Sequence, residues 1–295
     1  MKAFYHLPGL FEFTGLYRVF LPLFYGHRDW FYDWCDIGSI YGAPADCLWG
    51  GGRVGCGGAS PREALALTRE FSVSARLTLS NSLLREEHLS DRKCNALCAL
   101  FEKDGGNGVI LSSELLLKYL RENYPGFYFV SSTTKVLTEF DQLERELLRP
   151  EFRFVVPDFR LNTAADRLCA LSESLKRKVE FLCNECCWYE CPERKACYEN
   201  VSRKNLGEDV PEHRCVSPTA DRGYRFSDAM QNPGFIGLEK IEKRLLPAGF
   251  SHFKLEGRSL GSAVVLEFLL YYMTRPEYQL KVREEVYLDS MLDLF

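Results

Sequence analysis

The most chemically reactive part of this sequence is a run of closely spaced cysteines. The segment CNECCWYECPERKACY, residues 183–198, holds five cysteines, and a sixth follows at Cys215. One helical turn or a tight loop brings a Cys-x3-Cys pair onto one side of the chain, so two such thiolates can bind one metal ion or cluster. The spacings are Cys183-x2-Cys186, Cys187-x3-Cys191, Cys191-x5-Cys197 and Cys197-x17-Cys215.

These spacings favour iron–sulfur ligation over zinc. Structural zinc sites usually show two pairs of two-residue spacing, whereas iron–sulfur clusters accept irregular spacing with one distant ligand. Cys186 and Cys187 are adjacent and point apart on an extended strand end, so we do not expect both to be ligands. The pattern N-E-x-C-x3-C-P selects Cys187 and Cys191, and Cys215 is the natural third ligand.

The sequence does not identify the fourth ligand. It is Cys183, or Cys197, or it is absent. A cluster with three thiolates leaves one iron open to a substrate oxygen. Zinc in the same loop, a redox pair at Cys183 and Cys186, and incidental thiols remain as alternatives.

Composition limits the class of protein. The chain has 295 residues, of which 46% are hydrophobic, and a net charge of −4 without a basic stripe, which argues against a nucleic-acid partner. Glu12 and Arg18 interrupt the apolar N-terminus, and no uninterrupted apolar run is long enough for a membrane span. Twelve cysteines without an export signal favour thiols or metal ligands over disulfides, so we expect a cytoplasmic protein.

The elements that position the cysteines alternate between strand and helix. An alternation of this kind predicts an α/β, TIM-barrel-like (β/α) barrel, complete or incomplete, with the cysteine-rich segment 183–215 inserted after a late strand. Predicted strands lie at 36–43, 74–81, 107–113, 127–133, 152–158, 178–185 and 252–257, and predicted helices at 60–71, 113–124, 137–148, 163–176 and 262–273. We assign residues 36–295 to the barrel, and residues 1–35 to an aromatic segment that packs on it and offers a surface to a protein partner.

Polar residues end most of the predicted strands. In a barrel these positions form the C-terminal rim, where catalytic groups are normally gathered. Glu185 and Glu256 lie there and are candidates for acid or base catalysis, because desolvation at a barrel mouth raises the pKa of a carboxyl group. SSTTK, residues 131–135, either lines the pocket with hydroxyls and Lys135 or caps a helix.

Three cations could hold an acidic ligand. Lys254 and Arg258 flank Glu256 in the motif FKLEGR, and the three side chains either bind an acidic substrate or form a structural ion network. Arg53 lies in the glycine-dense run WGGGRVGCGG, residues 49–58, whose backbone amides could cradle an anion or simply form a flexible loop.

FKLEGR, the tyrosine-rich helix after it and the cysteine loop together resemble the collagenase-like peptidase family, the unassigned peptidase family thirty-two. The resemblance covers about residues 36–280 and is strongest over 178–278. It implies a TIM-barrel-like domain with a 4Fe-4S cluster held by cysteines, with Cys187, Cys191 and Cys215 at ligand positions.

The resemblance also implies an activity. Better-understood family members resemble oxygen-independent hydroxylases with prephenate as oxygen donor, so we expect an iron–sulfur-dependent redox enzyme with a small acidic cosubstrate. The alternatives are a zinc- or thiol-dependent peptidase or hydrolase, and a non-catalytic partner subunit that binds a cluster.

Overall fold

Eight parallel strands form a ring in the computed structural model, which describes residues 1–52, 58–257 and 259–292. The strands are β1 (Ala3–Pro8), β2 (Cys35–Gly42), β3 (Ser74–Leu79), β4 (Gly108–Leu111), β5 (Tyr128–Ser131), β6 (Phe152–Val155), β7 (Glu180–Leu182) and β8 (His252–Lys254). Neighbouring strands are hydrogen-bonded in the order β6-β5-β4-β3-β2-β1-β8-β7. A bridge between Val155 and Val179 joins the two ends of this order. The predicted (β/α) barrel is therefore confirmed.

Helices connect the strands on the outside of the ring. They are α1 (Thr14–Gly26), α2 (Pro61–Glu70), α3 (Arg92–Glu102), α4 (Glu114–Asn123), α5 (Phe140–Leu148), α6 (Ala165–Ala170), α7 (Glu173–Lys176), α8 (Arg194–Asn205), α9 (Phe226–Ala229), α10 (Leu238–Lys240), α11 (Ser262–Met273) and α12 (Gln279–Leu292). Short 3-10 helices cover Arg28–Trp30, Glu86–Ser90, Thr133–Lys135, Phe159–Thr163, Ala220–Arg222 and Pro276–Tyr278, and α10 continues as a π-helix over Ile241–Leu245. Within the described residues, none of these helices is long and apolar enough to cross a membrane.

Local sequence explains where several helices begin. Ser60 accepts a hydrogen bond from the Glu63 amide, the Glu63 carboxylate accepts from the Ser60 amide, and Pro61 occupies the first turn of α2. Ser113 caps α4 in the same way, by accepting from the Leu116 amide. The stretch predicted as one helix at 163–176 divides into α6 and α7.

Residues 1–35 are part of the barrel, which corrects their assignment to a segment packed on its outside. Strand β1 pairs with both β2 and β8, and α1 follows it as the first outer helix. The strand AFYHLP is buried on both faces, so it lacks the polar–apolar alternation that marks a half-exposed strand. Most aromatic side chains here are in the protein's own core, for example Phe20 and Phe24, whereas Tyr25 is 39% exposed.

The barrel interior holds charged groups as well as apolar ones. Arg76 on β3 donates to the Glu180 carboxylate on β7 at 2.6 Å, and both side chains are buried. These strands are not neighbours in the ring, so the ion pair crosses the interior. The Lys254 ammonium lies 3.8 Å from the same carboxylate and 3.4 Å from the centre of the Tyr41 ring.

Two histidines complete this interior network. His6 contacts Ser39 Oγ through Nδ1 at 2.8 Å, and its Nε2 lies 3.1 Å from Nδ1 of His252 and 3.4 Å from Glu180. Burial, assisted by the nearby Arg76 charge, lowers the pKa of His6 well below its usual value. Burial likewise lowers the pKa of His252 to about 4, so both rings are neutral in the folded protein near neutral pH.

We predict that Glu180→Gln lowers the free energy of unfolding by about 3–5 kcal/mol, because it leaves the Arg76 charge buried without a counter-charge. Urea unfolding of the purified protein measures this change. The control is Glu239→Gln, which breaks an exposed ion pair to Lys243 and should leave the free energy of unfolding close to that of the wild type. Equal costs for the two variants would contradict the structural role of the interior pair.

Stability should also fall in mild acid. The unfolded histidines bind protons below pH ~6.5, whereas folded His6 and His252 stay neutral, so the unfolded state gains protons and stability is lost as pH falls towards about 4. Each histidine contributes up to about 1.4 kcal/mol per pH unit in this window. Urea unfolding of His252→Asn should show a shallower pH dependence, whereas a variant of the exposed His27, His27→Asn, should keep the full slope.

Candidate functional site

The candidate site lies where β7 and β8 end, at the C-terminal rim of the barrel. Glu185 and Cys186 follow β7, and Glu256 follows β8. Their carboxylate oxygens and thiol all lie within 4.8 Å of one another. Three donors at this separation could hold one metal ion or act together on a substrate.

Asn184 fixes the relative position of the two strand ends. Its side-chain amide donates to the Glu256 carbonyl at 3.0 Å, and its side-chain oxygen accepts from the Glu256 amide at 2.7 Å. The Cys186 amide donates to the Glu256 carboxylate at 3.3 Å, which adds a third link. The backbone of β7 and β8 therefore sets the spacing of the three donors.

Arg194, at the start of α8, ties the cysteine segment to the rim. It donates to the Glu185 carboxylate at 2.6 Å, its Nε lies 3.3 Å from Asp158, and all three side chains are buried. Although burial alone would lower the pKa of Arg194, the nearby charges, led by that of Glu185 and including Cys187, raise it well above its usual value.

Arg160 brings a second guanidinium close to the cysteines. It donates to Asp158 at 2.7 Å and to the Cys191 carbonyl at 3.3 Å. The hydrogen bond to Asp158 raises the pKa of Arg160, and the charge of Cys187 adds to this effect. A thiolate at Cys187 therefore lies in the positive field of both Arg160 and Arg194.

A cavity of about 460 Å³ opens beside these groups, in the size range of small-molecule sites. Glu185, Cys186 and Cys187 form one side of it, and residues 217–233 form the other, with Arg222 and Arg225 among its cations. A second cavity of about 40 Å³ lies in the barrel mouth and is lined by Glu185, Glu256, Lys254, Tyr41 and Thr78, among others. Glu185 lines both cavities.

Helix α8 and residues 49–52, at the start of the glycine-rich run, close the opposite side of the mouth. The Asn81 side chain donates to the Ser202 carbonyl at 3.1 Å, and the Asn205 side chain donates to the Gly50 carbonyl at 2.8 Å. A Cβ at Gly51 would lie 2.4 Å from the Ser80 carbonyl, so this glycine allows the loop to pack on the end of β3.

The five cysteines that we predicted as ligands lie in different environments. Cys183 is buried among the residues between barrel and helices, where its thiol donates to the Phe181 carbonyl and burial raises its pKa. Cys187 packs against the apolar cluster inside the barrel, and Cys191 is buried nearby. Cys197 lies on α8, and Cys215 is exposed.

This arrangement limits how the cysteines could bind metal. Across residues 1–52, 58–257 and 259–292, Glu185, Cys186 and Glu256 are the one set of three donors close enough together to bind a single metal ion. Among the predicted ligands, Cys187 packs against the apolar cluster inside the barrel, whereas Cys183 faces the residues between barrel and helices.

The predicted cations fall in different places. Arg53 and Arg258 lie outside the described residues. Lys254 is buried at the base of the mouth, close to Glu180. Lys135 binds Glu146 at 2.6 Å on the outside of the barrel, and Ser132 accepts from the Thr134 amide, so the stretch 131–135 caps a short helix. Residues 132–134 of this stretch also line the cavity of about 40 Å³ in the barrel mouth.

Two important residues were not expected from the sequence. Arg194 lies in the charged run PERK, which has the composition of a solvated surface, and only its tertiary partners identify it. Cys186 was set aside in favour of its neighbour Cys187, because adjacent residues on an extended chain point apart. Both cysteines line the cavity of about 460 Å³, and Cys186 is the one whose thiol lies beside Glu256.

We predict that Arg194→Met lowers the free energy of unfolding by about 3–5 kcal/mol, because it leaves Glu185 buried without its cation and takes from Asp158 one of its two cations. The matched control on the same helix is Arg203→Met, which removes an exposed pair to Glu208 and should cost less than about 1 kcal/mol. Urea unfolding compares the two variants, and a similar small cost for both would show that Arg194 does not anchor the segment.

Comparison with known proteins relates the chain to others through its fold. A solved structure described as the U32 peptidase Mk0906 matches with a TM-score of 0.53 and 13% sequence identity, over 87% of this chain and 93% of that chain. No protein-family profile matches the sequence, and no curated protein does. At 13% identity the likeness shows the fold alone. In its fold, the chain agrees with the resemblance to unassigned peptidase family thirty-two. The chain has the barrel fold of a U32 peptidase structure.

Proposed function

We propose that the protein is an iron–sulfur-dependent redox enzyme whose reaction takes place at the barrel mouth. The observation that carries this proposal is the position of Cys187 and Cys191. They follow β7 on the rim, Cys187 is beside the Arg160 and Arg194 charges, and it also lines the cavity of about 460 Å³. Cationic surroundings favour thiolates, which are the form that binds iron.

The ligand set in this proposal contains Cys187, Cys191 and Cys215, with Cys197 as the remaining candidate. Cys215 is exposed, and the residues that follow it, from 217 to 233, line the cavity. A bound cluster would supply electron transfer.

The chain's own residues would bind and orient the substrate. Arg222 and Arg225 line the cavity and suit a small acidic cosubstrate of the prephenate type, which is the oxygen donor that the family resemblance implies. The Glu185 carboxylate is paired with Arg194 at 2.6 Å, so Glu256 is the better candidate for moving a proton. The reaction that fits these parts is an oxygen-independent hydroxylation in the cytoplasm.

A zinc-dependent hydrolase is the second candidate. Its support is the convergence of Glu185, Cys186 and Glu256, since catalytic zinc sites have three protein ligands and one open position. The match to a structure described as a U32 peptidase is in keeping with hydrolysis. In this alternative the cysteines from Cys187 onward have no role as ligands.

We predict that anaerobically purified protein is brown and contains iron and sulfide. The visible absorption and the iron content should be lost in Cys187→Ala, Cys191→Ala and Cys215→Ala, because each removes a thiolate from the cluster. The matched control is Cys169→Ala, at a partly buried cysteine on α6 outside the cysteine-rich segment, which should keep the full iron content.

Two outcomes would overturn the iron–sulfur proposal. A colourless protein with one zinc per chain, lost in Glu185→Gln, Cys186→Ser and Glu256→Gln, would establish the hydrolase site instead. A folded protein that holds neither metal after reconstitution with iron and sulfide, or with zinc, would contradict both candidates.

A further inference from the structure

A second pair of thiols lies outside the barrel mouth. Cys47, in the loop after β2, and Cys94, in the first turn of α3, have their Sγ atoms 3.6 Å apart. They are 5% and 1% exposed. Asp91 fixes Cys94 by accepting from its amide at 2.8 Å, and the Gly50 amide donates to the Cys47 carbonyl at 2.9 Å. Two independent backbone turns therefore hold the thiols in contact.

The two thiols are not equivalent. The hydrogen bond between the two sulfurs, with smaller contributions from the Trp49 and Gly50 amides, lowers the pKa of Cys47 even though burial opposes it. The same hydrogen bond, together with burial, raises the pKa of Cys94. Cys47 is therefore the more acidic thiol of the pair, and the more acidic thiol forms the nucleophilic thiolate more readily.

A cavity of about 710 Å³ lies beside the thiol pair. Cys47 and Cys94 line it together with several apolar side chains. Arg62, Lys93 and Asp46 also line it, and the exposed Lys93 pairs with Asp46 at 2.8 Å, so two cations face one carboxylate. This volume and this excess of positive charge suit a small anionic molecule.

We infer that Cys47 and Cys94 form a thiol–disulfide exchange site, separate from the barrel mouth, which a small anionic disulfide oxidises through this cavity. The two Sγ atoms are already in contact at 3.6 Å, and a disulfide needs closure to about 2.05 Å. No other group of the protein has to accept electrons, because the disulfide reagent is itself the oxidant.

The exchange proceeds in two balanced steps. The Cys47 thiolate attacks one sulfur of the reagent, the reagent's S–S bond breaks, and one thiolate leaves with its electron pair. Cys94 then loses its proton to that thiolate or to water and attacks the Cys47 sulfur, which releases the second thiolate. Two electrons pass from the protein dithiol to the reagent, and a Cys47–Cys94 disulfide forms.

A Cys47–Cys94 disulfide would affect the barrel mouth through the loop that carries Cys47. The loop that carries Cys47 accepts a hydrogen bond at the Gly50 carbonyl from Asn205 on α8, and Trp49 donates to the His88 carbonyl. Oxidation therefore restricts the movement of this loop, which packs against α8 in the cysteine-rich segment 183–215.

The test treats the intact folded protein with glutathione disulfide, traps remaining thiols with a maleimide and maps modified peptides by mass spectrometry. We expect a Cys47–Cys94 linked peptide that dithiothreitol reverses. In Cys94→Ser the second step is blocked, so a glutathione adduct should accumulate on Cys47. Cys98→Ser, one turn further along α3, is the matched control and should still form the Cys47–Cys94 link.

The wild-type result alone decides the proposal, so it does not depend on how well the variants fold. Maleimide labelling of both Cys47 and Cys94 after prolonged exposure to glutathione disulfide would overturn it. A disulfide from Cys47 to any other cysteine, including Cys56, would overturn it as well. Since the readout is peptide by peptide, changes at residues 183–215 do not affect it.

Discussion

The Glu180 carboxylate lies inside the barrel out of contact with water, and a carboxylate in that position is tolerated only with its counter-charges in place. Arg76 supplies the closest of these and Lys254 the second, and the neutral His6 ring lies 3.4 Å from the same carboxylate. The partners come from β3, β8 and β1, whereas Glu180 comes from β7. One charge therefore ties together strands on different sides of the ring.

This constraint matters because β7 has few other means of holding its register. It spans three residues and pairs with β8, and on its other side it meets β6 only through the bridge at Val179. A one-residue slip of β7 would turn Glu180 out of the interior and leave Arg76 buried without its partner. The slip would also rotate Asn184 and Glu185 away from β8. The geometry of the rim thus depends on the ion pair beneath it.

The sequence is informative about this structure where its signals are local. Seven strands, the core helix at 262–273 and the rim position of Glu185 and Glu256 follow from alternation and helix-breaking residues. Strand β1 was missed because a strand buried on both faces has no alternation to detect. The roles of Arg194 and Cys186 arise from contacts with residues distant in sequence or on another strand. The spacing of apolar and polar residues along the sequence does not indicate such contacts.

The interior network also bears on what the mouth can bind. With His6 and His252 neutral, Arg76 and Lys254 give two positive charges against the single negative charge of Glu180. Lys254 belongs to this layer and also lines the small cavity with Glu185 and Glu256. The net positive charge therefore lies directly beneath the rim, where it offsets part of the repulsion between the two carboxylates. It also favours an anionic occupant above them, whether an acidic substrate or thiolates bound to iron, over a cationic one.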